Sequence, residues 1–185
     1  MDWLFSLLIA LAANIDNLGV GIAYGSRKMD ISIRANLIIA FLSFLATLFA
    51  ANIGAFLNET IQLKYAGDLG AVILICAGLW IILGPAELIH QPEKADRDCS
   101  NHLDDAEAVL LGIALSANAV AGGLDAGLVA LPILVISLFV GLFSFLTIAF
   151  GCSIGRVYLA KRLGNAATNV SGLLMLAIGL YQLRC

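Results

Sequence analysis

Six stretches of almost unbroken apolar residues divide the chain, at about Trp3–Gly25, Arg34–Leu57, Ala66–Leu88, Ala108–Ala130, Pro132–Ile154 and Gly164–Leu183. Each reaches the roughly 20 residues that an α-helix needs to cross the hydrocarbon core of a bilayer. The strands of a membrane β-barrel would instead alternate apolar and polar positions over about ten residues. Because backbone polar groups must be satisfied internally in lipid, continuous apolar runs are read as helices. The pattern predicts an all-α integral membrane protein with six transmembrane helices.

Composition agrees with this reading. Over 185 residues, 61% are hydrophobic and 12% charged, with a mean hydropathy of +0.98, which is too apolar for a soluble domain of this length. The first stretch opens on Met1-Asp2 rather than on a basic segment, so it is read as a retained span and not as a cleaved signal peptide. Cys76, Cys99, Cys152 and Cys185 form no CxxC pair, and a disulfide framework is not expected.

The net charge of −3 is unevenly spread. From His90 to Glu107, Lys94 and Arg97 face Glu93, Asp96, Asp98, Asp104, Asp105 and Glu107. This acidic segment is read as a solvated linker, with metal collection by Cys99 and His102 as the secondary reading. Basic residues also set orientation. One side carries Arg27, Lys28, Arg34, Lys94, Arg97, Arg156, Lys161 and Arg162, and the other only Lys64 and Arg184. Basic loops stay in the cytoplasm, so both termini are expected outside.

The chain also resembles itself. LAANIDNLGVGIAYG, residues 11–25, aligns with IALSANAVAGGLDAG, residues 113–127, and this places Asp16 on Asn118. Phe44-Leu45 falls on Phe145-Leu146, and Gly78-Leu79-Trp80 on Gly179-Leu180-Tyr181. Three successive matches in order suggest a repeat. With three spans in each half, the second half must enter from the opposite side. The expected plan is two inverted three-helix repeats, residues 1–89 and 108–185, joined by the linker 90–107. Such repeats recur in secondary transporters, with the site at the midplane between halves.

Asp16 lies just past the middle of the first span, where an ionised carboxylate costs roughly 2.5–3.5 kcal/mol on insertion scales. No Lys or Arg lies in the interior of any span, so a proton or a metal ion is the expected compensation. Asn14 and Asn17 flank the acid, and Ser116 and Asn118 occupy the aligned place in the fourth span. These are oxygen donors, which suit hard divalent cations such as Mn²⁺ and Mg²⁺. A protonated Asp16 hydrogen-bonded within the bundle is the plainer account. Asp125, two turns after Asn118, is either a second station on an exit path or a near-interface acid facing water.

Gly21 and Gly25 form a GxxxG pair that Gly123 and Gly127 repeat. Such pairs allow close helix approach, and are expected to join the first span to the fourth. Asn165, Thr168 and Asn169 open the last span, where capping is the default role. No GxxxxGK[ST] loop occurs, which argues against direct ATP coupling. No HExxH or GxSxG pattern is present either, and no enzyme activity is expected.

The segment Asn14-Ile15-Asp16-Asn17-Leu18-Gly19-Val20-Gly21-Ile22-Ala23-Tyr24-Gly25, followed by Arg27-Lys28-Met29, resembles the manganese efflux pump (MntP-like) family, especially its YtaF-like sporulation membrane protein branch. Leu111-Gly112-Ile113-Ala114-Leu115-Ser116 gives a second match. The resemblance implies six spans in two inverted repeats, and export of Mn²⁺ across the bacterial inner membrane. It also implies a Ser-x-Asp element in each half. Here the first reads Asn14-Ile15-Asp16 and the second Ser116-Ala117-Asn118, which leaves one carboxylate where the family has two. Asp125 is the candidate to supply the other.

The leading expectation is a secondary transporter exporting a divalent cation, with Mn²⁺ as substrate rather than cofactor and protons as the exchanged partner. Asp16 would be the central ligand, with Asn14, Asn17, Ser116, Asn118 and Asp125 around it. No nucleic-acid partner is expected beside the lipid bilayer. The competing readings are a non-transporting membrane scaffold or regulatory protein of the same fold, and a carrier of an organic cation or amino acid.

Overall fold

The computed structural model describes residues 2–26, 29, 31–60, 63–83, 102–156, 170, 173–181 and 183. Five long helices fill most of this range: α1 Asp2–Ser26, α2 Ile33–Thr60, α3 Leu63–Leu83, α4 Asp105–Leu128 and α5 Ile133–Gly155. A sixth, α6, covers 173–181 within the last apolar stretch. Among the described residues α1, α2, α4 and α5 are long and apolar enough to cross a membrane. These four begin and end within three residues of the apolar runs that predicted them, whereas α3 carries a shorter apolar segment, Asp68–Ala77, and the predicted sixth span is described only in part.

One difference lies at the start of α4, three residues earlier than expected and inside the segment read as linker. Asp104 Oδ1 accepts the Glu107 amide at 2.7 Å, and Glu107 Oε2 accepts the Asp104 amide at 3.2 Å. This capping box satisfies two otherwise orphaned N–H groups and starts the helix at Asp105. Asp105 also forms a surface ion pair with Arg34 at 2.9 Å, which puts the starts of α2 and α4 on one face of the bundle. Residues 84–101, with Cys99, lie outside the described residues, as do Asn165, Thr168 and Asn169.

α4 ends in a Schellman turn. Leu131 N–H donates to Ala126 O at 2.8 Å and Ala130 N–H to Gly127 O at 3.1 Å, with Ala130 at φ 57° where glycine is usual. Pro132 then precedes α5 in an extended conformation, and its fixed φ suits this position.

Helix pairing is set by small residues. α1 packs mainly on α5, and α2 mainly on α4. A Cβ on Gly21 would stand 2.5 Å from Ile148 O, and one on Gly25 would collide with Cys152 O. Likewise a Cβ on Gly123 would lie 2.8 Å from Thr47 O, and one on Gly127 would collide with Ala51 O. The expectation that these glycines join α1 to α4 is corrected. Each GxxxG face receives the middle helix of the other half, because Gly151 and Gly54 there remove the opposing side chains as well. α3 lies against α4 and meets α6 at Gly179, where a Cβ would be 2.7 Å from Ala71 O.

The interior is layered. One apolar cluster contains Val20, Tyr24, Ile39, Leu111, Leu115 and Ile148, and another contains Ile9, Ala10, Ala119, Ala126, Ile136 and Val140. Between them, in chain order along α1, α4 and α5, fall Asp16, Asn118 and Ser144, all buried. Trp3, Phe41, Phe49, Phe56 and Phe150 point outward, as expected where the bilayer is the solvent.

Candidate functional site

Asp16 is fully buried on α1. Asn118, from the corresponding place on α4, donates its Nδ2 to Asp16 Oδ2. Asp16 Oδ1 is buried and accepts no hydrogen bond from the described residues. An acceptor left so exposed to its own charge in a dry interior costs several kcal/mol, and it is available to a cation or a proton.

A second set of contacts runs alongside. Asn17 Nδ2 donates to Asn14 Oδ1 and to Ser144 Oγ, both at 3.1 Å. Ser144 Oγ meets Ser43 Oγ at 3.3 Å. Asn14 Nδ2 is tied back to Ala10 O at 2.8 Å, so Asn14 supports Asn17 and turns its own amide toward its helix. Asn17 Oδ1 is another buried oxygen with no partner among the described residues. Thr47 Oγ1 donates to Ser43 O at 2.9 Å and lies 3.4 Å from Ala119 O. The hydroxyls of α2 and α5 thus extend the polar layer from α1.

The remaining sequence candidates stand apart. Ser116 is half-buried, and its hydroxyl donates to Ile113 O in its own helix at 2.8 Å. Asp125 is fully buried, which overturns the reading of an acid facing open water. It lies beneath α3, where a Cβ on Gly70 would collide with Asp125 Oδ1. Its position is about 10 Å along α4 from Asn118, two turns at 1.5 Å per residue.

Sequence reasoning missed Ser43 and Ser144. Hydroxyl side chains in membrane helices commonly bond back to their own backbone, so their types alone carried no signal. The alignment of the second spans does pair Ser43 with Ser144, and that coincidence was the available clue. Among the described residues no three His, Cys, Asp or Glu side chains come together. A metal held here would take one carboxylate and otherwise amide and hydroxyl oxygens, a donor set for hard divalent cations.

Comparison with known proteins agrees over nearly the whole chain. The family described as "Putative manganese efflux pump" matches residues 1–82 and 86–183. The "Probable sporulation protein YtaF" of Bacillus subtilis (strain 168) is 31% identical, covering 99% of this chain and 100% of that protein. The "Putative manganese efflux pump MntP" of Methanoregula boonei is 28% identical, covering 99% of this chain and 97% of that protein. No solved structure matches the chain significantly. The apolar helices and these matches together make it a multi-pass integral membrane protein, and the chain belongs to the putative manganese efflux pump family.

Proposed function

We propose that the protein is a secondary transporter that exports a divalent metal cation, with Mn²⁺ as the first candidate, across the inner membrane of a bacterial cell. The observation that carries this reading is Asp16, a buried carboxylate in mid-span whose Oδ1 has no partner among the described residues. Asn118 holds the other oxygen, while Asn17 and Ser144 supply neutral oxygens nearby. The ion binds at Asp16 and leaves as a proton takes its place, so the carboxylate's own negative charge is compensated in both states, fully by the proton and with one positive charge in excess by the divalent ion.

The two halves form inverted repeats in this proposal. Support comes from contacts between equivalent residues, Asp16 with Asn118 at a separation of 102 and Ser43 with Ser144 at 101. Exchanging the halves also turns the α1–α5 pairing into the α4–α2 pairing. The apolar clusters on either side of the polar layer serve as two gates that open alternately. Both termini lie outside, following the basic residues.

The test is flux in proteoliposomes. Asp16→Asn is expected to abolish Mn²⁺ flux while the protein stays inserted and abundant; undiminished flux would refute the assignment. A scaffold or regulatory role is the second reading, favoured by Asn118 where an acid would complete the pair. It predicts no ion-dependent flux from the purified protein, together with copurification of a membrane partner.

A further inference from the structure

A crevice of about 210 Å³ opens on the bundle face that carries Arg34 and Asp105, between the start of α2 and the end of α5. Asn36, Ile148, Cys152, Ser153 and Arg156 are among its walls. Asn36 is only 5% exposed. Its Nδ2 donates to Phe145 O at 3.0 Å, which sets the amide orientation and leaves Oδ1 buried without a partner among the described residues. The unsatisfied atom is therefore an acceptor. It suits a cation or a donor and offers an anion nothing.

Two turns further along α2, on the same face, Ser43 meets Ser144, and Ser144 accepts from Asn17 next to Asp16. Between Asn36 and this chain of oxygens stand Ile39 and Ile148, both completely buried in the cluster with Val20 and Tyr24. Ile148 is at once a wall of the crevice and part of that apolar layer.

We propose that this crevice is the vestibule through which the cation arrives, that Asn36 Oδ1 is its first protein ligand, and that the Ile39–Ile148 layer is the closed gate before the Ser43–Ser144–Asn17 relay to Asp16. The inference rests on the transport reading above and adds to it the inlet and the neutral oxygens that replace shed water. Arg156 stands exposed at the lip. Its charge lowers the local cation concentration, and salt screens that effect over about 8–10 Å.

Native Cys152, half-buried in the crevice wall, is the probe. In protein with Cys76, Cys99 and Cys185 replaced by serine, a charged thiol reagent applied from the Arg156 face is expected to label Cys152 and slow Mn²⁺ flux. Mn²⁺ is expected to protect the thiol. Asn36→Ala should raise the half-saturating Mn²⁺ concentration about tenfold with little change in maximal flux. Arg156→Gln should lower it about twofold at low ionic strength and leave it unchanged at high.

Absence of Mn²⁺ protection at Cys152, or an unaltered half-saturating concentration in Asn36→Ala, overturns the vestibule and leaves the role of Asp16 standing if Asp16→Asn still abolishes flux. A higher half-saturating concentration in Arg156→Gln also overturns it, marking the crevice as an anion or lipid-headgroup site. Retained flux in Asp16→Asn removes the transport reading itself, and the vestibule with it.

Discussion

At the scale of single residues, the Asp16–Asn118 contact decides most of what can be tested. Asn118→Ala removes the donor to Asp16 Oδ2, and a hydrogen bond to a charged group contributes about 1.5–3 kcal/mol. Its Mn²⁺ affinity is expected to fall by at least tenfold, measured as half-saturating concentration in flux. Asn118→Asp restores a second carboxylate and is expected to tighten Mn²⁺ binding at equilibrium, because ligand charge tunes the affinity of oxygen sites. Weaker metal binding in Asn118→Asp would mean that the amide is needed as a donor. This pair was legible in the sequence, since one acid without a basic companion aligned with Asn118 when the chain was laid against itself. Asn36 and Ser144 were not, because only tertiary contacts distinguish an asparagine or serine facing a polar layer from one bonded to its own helix. Asp125 was legible as an acid but not as a buried one, since its burial depends on Gly70 of α3.

At the scale of helices, apolar run length located α1, α2, α4 and α5 to within three residues, while the capping box at Asp104 and Glu107 was hidden among linker acids. The glycine pairs announced close packing but not the partner, which depends on Gly151 and Gly54 in the receiving helices. Gly25→Leu is expected to prise α1 from α5 and lower the detergent melting temperature strongly, as overpacking costs about 1–3 kcal/mol or more. Placing leucine at exposed Ile53, Ile53→Leu, should have little effect. The turn after α4 makes a separate prediction. Ala130 sits at φ 57°, a conformation that β-branched residues resist. Ala130→Val should therefore destabilise in reversible denaturation, whereas Ala130→Gly, which removes the Cβ, should stabilise by up to about 1–2 kcal/mol.

At the scale of the molecule, the proposed inverted arrangement makes a topological claim that thiol labelling of intact cells can check. Cys185 is expected to react with an impermeant reagent from outside and Cys99 only after permeabilisation. Reaction of Cys99 from outside would reverse the orientation. Both residues lie outside the described range, so this assignment comes from the loop charges alone. The single carboxylate in the polar layer carries a further consequence, for energetics. If one acid exchanges one divalent ion for one proton, each cycle moves a net positive charge outward. Transport is then electrogenic: an inside-negative potential opposes it by about 2.3 kcal/mol per 100 mV. A potassium diffusion potential should speed or slow efflux according to its sign, whereas a relative with paired acids exchanging two protons would leave the voltage untouched.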